Sequence, residues 1–94
     1  MANIRNVKKD IDYLVGEVIS DCYTYLYIHG ENNRDKIVEI IQEVVDKRND
    51  FFKRVNNPDK ELDRKQTRQY FKQIYSDLLE TVDNSFTQLS ELSK

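Results

Sequence analysis

Site chemistry needs side chains that can donate, accept or hold something in a fixed arrangement, and this chain of 94 residues offers few of them. Its one cysteine, Cys22, and one histidine, His29, stand a heptad apart. On a helix that spacing puts both on one face but about 10 Å apart along the axis, too far to share a metal without other donors. Cys22 falls among apolar neighbours and reads as an inert buried thiol, and His29, just before Gly30, as a residue complementing a helix C-terminal dipole. Glu17 with Asp21, and Glu39 with Glu43, are carboxylates one turn apart. Carboxylate-bridged metal sites in bundles use such pairs, but they add a Glu-x-x-His pair that this sequence lacks, so solvated acidic faces are the plainer reading. The sequence shows no nucleophile with a base, no Gly-rich phosphate loop and no cysteine cluster. The expectation is a protein that is not an enzyme, with no catalytic residues, no cofactor and no metal.

One stretch is chemically richer. Residues 47 to 72 hold nine basic side chains against four acidic ones, and residues 1 to 9 add Arg5, Lys8 and Lys9 with no acid. Phe51, Phe52, Tyr70 and Phe71 lie among these cations. Interleaved cations and rings are what a site for single-stranded nucleic acid or a phosphorylated ligand uses. The candidate anion-binding residues are Arg48, Lys53, Arg54, Arg64, Lys65 and Arg68. The competing reading has the rings closing one end of a core and the cations lining solvated faces, some complementing a helix C-terminus. The whole chain has 15 basic and 17 acidic residues, a formal net charge of −2. That excludes a general cationic coat, so any anion contact has to be local. A third reading sets the basic end of one copy against the acidic flank of another.

The elements that position these residues are helices. Two glycines and one proline leave few places to turn, which favours long rods over a sheet needing many hairpins. Ile4, Val7, Ile11, Leu14, Val18 and Cys22 recur at three- and four-residue steps, with Val15, Ile19, Tyr23 and Leu26 beside them, a stripe wide enough for two neighbours. Gly30 supplies the left-handed position that ends this helix. Asn32, with Asp35 three residues on, reads as an N-cap for a second helix carrying Ile37, Ile40, Ile41, Val44, Val45, Phe51, Phe52 and Val55. Arg48 stands in that stripe where a heptad wants an apolar residue. Asn57 before Pro58 reads as the cap of a third helix. Its packing face starts near Tyr70 and runs through Ile74, Leu78, Val82, Phe86 and Leu89. The prediction is one all-α domain over 1–94, an up-down-up three-helix bundle with helices at about 3–29, 33–56 and 58–93. The first third of the last helix is polar, as exposed helix or as connector. In this topology residues 1–9 and 47–72 meet at one end.

Of six tyrosines, Tyr23, Tyr25 and Tyr27 cannot all face one core, so part of this surface is exposed or covered by a second subunit. That makes a homodimer the expected partnership, with Tyr13, Tyr23 and Tyr27 as the self-association residues. No apolar run nears the roughly 20 residues that cross a bilayer, so no membrane contact is expected. A lone cysteine and an N-terminus without a secretory pattern point to the cytoplasm. The stretches KKDIDYLVGEVISDCY (8–23), VVDKRNDFF (44–52) and LLETVDNSF (78–86) resemble a family of short uncharacterised bacterial all-helical proteins. That resemblance covers most of the chain and implies the same fold, with no assigned activity to transfer. The function expected from the residues is a helical interaction module that self-associates; the alternative is an anion-binding module at the basic end.

Overall fold

The apolar steps of three and four residues do build helices: the computed structural model, which describes residues 4–92, contains α1 (Ile4–His29), α2 (Arg34–Asn56) and α3 (Arg64–Leu92). The bounds expected at 3 and 93 lie outside the described residues. Each helix packs against the other two, α1 against α2 most extensively. Cross-helix bonds fix the topology. Asp12 of α1 meets Arg48 of α2, and Asn33, just before α2, meets Tyr25 near the end of α1, so α1 and α2 run antiparallel. Asp10 meets Tyr75, and Tyr25 meets Leu92, so α1 and α3 run parallel. The bundle is up-down-up.

Its core is a single line of side chains. Val7, Ile11, Val15, Val18 and Cys22 of α1 meet Ile37, Ile40, Val44, Phe51 and Val55 of α2 and Ile74, Leu78, Val82 and Leu89 of α3. A core this thin gives a rod of 50 × 19 × 18 Å with a radius of gyration of 15.5 Å, against about 12 Å for a compact domain of this length. Every helix therefore keeps a long face away from the core.

Two helix starts differ from the sequence expectation. Asn32 does not cap α2: its N–H donates to the His29 carbonyl within the turn. The capping position falls to Asn33, whose backbone is left-handed (φ 61°) and whose side chain makes no cap bond. Its amide donates instead to the Tyr25 hydroxyl at 2.9 Å, and that hydroxyl donates to the Leu92 carbonyl at 2.9 Å. The side chain is thus committed to tying three helix ends together. Nor does α3 begin at Pro58. Asp59 accepts the Glu61 N–H in a tight turn, and a reciprocal box forms at Asp63, which accepts the Gln66 N–H at 2.7 Å while Gln66 accepts the Asp63 N–H at 3.1 Å. Two satisfied amides at this box outweigh the favourable φ of proline five residues earlier. Residues 57–63 are a connector, and 64–69 are the polar start of α3. The Gly30 expectation holds: it is left-handed (φ 63°), and its N–H donates to the Leu26 carbonyl.

Candidate interaction faces

The side of α1 turned away from the core carries an unusual set of residues. At 100° per residue, Tyr13, Gly16, Ser20, Tyr23, Thr24 and Tyr27 lie opposite Val18 and Cys22. Tyr13, Tyr23 and Tyr27 are 67%, 61% and 92% exposed, whereas Tyr25 is buried. Between Tyr13 and Tyr27 one charged residue, Glu17, borders this face beside Thr24, on the side away from Tyr23, and Asp21 lies further round. Gly16, Ser20 and Thr24 follow one another at four-residue steps, and with Ile19, Tyr23 and Tyr27 they line a shallow trough. The Thr24 hydroxyl donates to the Ser20 carbonyl at 3.0 Å, so it asks for no outside partner. Val38 and Leu79 are the exposed large apolar residues of α2 and α3; Leu79 lines a shallow trough with Val82 and Phe86 that the charged Glu80 and Asp83 share.

Gly16 is the informative member. It sits in the middle of a 26-residue helix, where glycine destabilises by roughly 0.5–1 kcal/mol relative to alanine. Its φ is not left-handed, and a Cβ added there would meet nothing within 4 Å. Nothing in the folded chain requires a glycine at this position.

The basic end is organised differently. Arg48 is half-buried: its Nε donates to Asp12 at 2.7 Å, and its guanidinium lies 4.2 Å from the Phe52 ring centroid. This explains a cation in the apolar stripe of α2, because the stem covers the ring while the head finds a carboxylate. Arg54 pairs with Asp77 at 2.9 Å and approaches the Phe51 ring at 5.7 Å. Phe51 is buried; the Tyr70 hydroxyl donates to the Arg54 carbonyl at 2.6 Å, and the Tyr70 and Phe71 rings meet edge to face. These rings close the core. Lys53, Arg64, Lys65 and Arg68 form no ion pair among the described residues. The six candidate cations are not gathered around one cradle. Lys53 and Arg54 line a polar groove between α2 and α3 with Glu43, Asp50, Asp77 and Glu80. Arg68 instead borders a groove of about 530 Å³ walled by Ile4, Pro58, Phe71 and Tyr75.

The titratable groups follow these contacts. Burial raises the Cys22 thiol above its ordinary pKa, helped by the charge of Asp21; a fully buried, protonated thiol is unreactive. The Asp77 carboxyl is lowered above all by the hydrogen bond from Gln73; burial opposes this, and Arg54 and then Lys47 lower it further. Tyr75 is pushed up to about 12 by burial and by its 2.6 Å hydrogen bond to Asp10. His29 is exposed and stacks on Tyr25 with centroids 4.2 Å apart. Glu17, Asp21, Glu39 and Glu43 are exposed. Among the described residues no group of three or more His, Cys, Asp or Glu side chains is placed to hold a metal ion, and no helix is long and apolar enough to cross a membrane.

Comparison with known proteins adds no relative: no family model matches the chain, and neither a curated protein nor a solved structure does. Gly16, Ser20 and Thr24 join the three tyrosines as candidate residues only in the structure. Their four-residue spacing is the signal that marks them in the sequence.

Proposed function

We propose that this chain is a non-catalytic helical interaction module that self-associates through the outer face of α1. The observation that carries this reading is the alignment of Tyr13, Tyr23 and Tyr27, all exposed, with Gly16 on one helix face that Glu17 alone borders with charge. Tyrosine supplies large contact area at low entropic cost and is enriched at interfaces, whereas charges are depleted at interface cores. A glycine with no use inside the monomer fits a surface that a second backbone approaches closely. We further place the module in the cytoplasm, where a single buried thiol needs no disulfide partner. Sedimentation equilibrium over a wide range of protein concentration tests the reading. The expected mass rises from 11.3 kDa towards twice that value, and a strict monomer at the highest concentration overturns it.

The second reading is an anion-binding module at the basic end. It is favoured by Lys53, Arg64, Lys65 and Arg68, which lack ion-pair partners among the described residues. Binding of a labelled single-stranded oligonucleotide at two salt concentrations tests it, because phosphate contacts weaken steeply as salt rises. No binding at low salt removes this reading.

A further inference from the structure

Small residues and tyrosines on the outer face of α1 are placed at matching distances on either side of Ser20. Gly16 on one side and Thr24 on the other each stand four positions from Ser20, and Tyr13 and Tyr27 each stand three positions further, while Tyr23 mirrors Glu17. Small residues flank the centre and exposed tyrosines bound both ends. A two-fold dimer requires a self-complementary patch, in which residue i meets residue j of the partner and j meets i. From this symmetry we infer that two copies pack α1 against α1, antiparallel, about a two-fold axis at Ser20. The inference rests on the self-association proposed above and specifies its geometry.

In that arrangement residues whose numbers add to about 40 lie opposite one another. Ser20 faces the partner's Ser20, Gly16 faces the partner's Thr24, and Tyr13 faces the partner's Tyr27. Tyr23 falls opposite the partner's Glu17, whose carboxylate can accept from its hydroxyl, beside the space that Gly16 leaves open. The trough along Gly16, Ser20 and Thr24 lets the two backbones approach towards the short end of the interaxial range, about 8 Å, while the tyrosines close the rims.

Charge independently selects the antiparallel orientation. At one end of the bundle lie the start of α1, with Arg5, Lys8 and Lys9, and the base-rich stretch from Lys47 to Lys72. Towards the other end, α2 brings Asp35, Glu39, Glu43 and Asp46 against Arg34 and Lys36, and α3 from Leu78 to Leu92 has acids and no base. Antiparallel packing of α1 sets the basic end of each copy beside the acidic end of its partner. Parallel packing sets like against like, which disfavours association.

Cysteine cross-linking tests this geometry on the full chain, with the wild type, whose Cys22 is fully buried, as the blank. A Cys22→Ala background repeats each measurement without the native thiol. A disulfide needs Cα atoms about 4.4–6.8 Å apart. Ser20→Cys on the axis is expected to form a covalent dimer under mild oxidation. Gly16→Cys alone and Thr24→Cys alone are expected to stay monomeric on a reducing-agent-free gel, because each is about 12 Å along the helices from its own copy. An equimolar mixture of those two variants is expected to cross-link. Self-linking of Gly16→Cys, or no link from Ser20→Cys in a chain that sediments as a dimer, overturns the antiparallel axis and leaves self-association standing. A chain that sediments only as a monomer overturns both.

Discussion

The outer face of α1 and the basic end of the bundle are both conspicuous in the sequence, but the fold treats them in opposite ways. At the basic end most of the conspicuous residues are employed within the chain. Arg48 spans Asp12 and Phe52, Arg54 pairs with Asp77, Phe51 is buried, and Tyr70 bonds the backbone of α2. On α1 the conspicuous residues do nothing for the monomer. Tyr23 and Tyr27 are mostly in solvent, and Gly16 weakens the helix that contains it. A residue that its own fold leaves unused, and especially one that lowers the stability of that fold, is better evidence of an outside partner than a cluster of charge.

That contrast can be broken or sharpened by substitution. The largest effect is expected from Tyr23→Lys with Tyr27→Lys, which removes two of the three tyrosines of the proposed interface and places like charges there on both copies. Association should weaken on the order of a hundredfold, the scale of losing a tyrosine hot spot, while the unfolding midpoint of the dilute monomer barely moves. Sedimentation and thermal melts at two concentrations check both halves. Gly16→Ala should split in sign. The dilute monomer should gain roughly 0.5–1 kcal/mol in denaturant unfolding, while dimerisation weakens about tenfold because the added methyl holds the helices apart. Arg48→Ala should do the reverse, lowering monomer stability by about 1 kcal/mol through the lost ion pair and ring contact and leaving association unchanged. The smallest effect concerns Tyr75. Its folded pKa is raised to about 12 from an ordinary 10.0, so the stability this contact adds is fully present below about pH 10. It fades as pH rises through about 12. In a tyrosinate absorbance titration Asp10→Asn should bring the highest-titrating tyrosine down, with burial keeping it above its ordinary value.

The bundle was legible in the sequence because helix periodicity and burial are the same physical fact: Val7, Ile11, Val18 and Cys22 fall on one face whatever they pack against. The turn at Gly30 was legible for a similar reason, since one residue supplies its own left-handed backbone. The helix starts were not, because capping is a competition. Asn33 is taken by the Tyr25 hydroxyl, and the Asp63 and Gln66 box outcompetes Pro58, and neither outcome is written in the local residues alone. Tyrosine surplus was countable, but which tyrosine turns inward was not: Tyr25 is buried because its hydroxyl reaches Leu92, 67 residues away in the chain. Six cations looked like one cluster because sequence proximity hides direction. Lys53 and Arg68 belong to different grooves.

The most direct test of the two regions is a dilution series followed by amide resonances in solution NMR. Mass action makes any interface resonance depend on protein concentration. The expected result is movement at Tyr13, Gly16, Ser20, Tyr23, Thr24 and Tyr27, with Arg64, Lys65 and Arg68 fixed. Shifts confined to the basic end, or resonances constant at every concentration, would contradict the assignment of the outer face of α1 as the surface through which this protein acts.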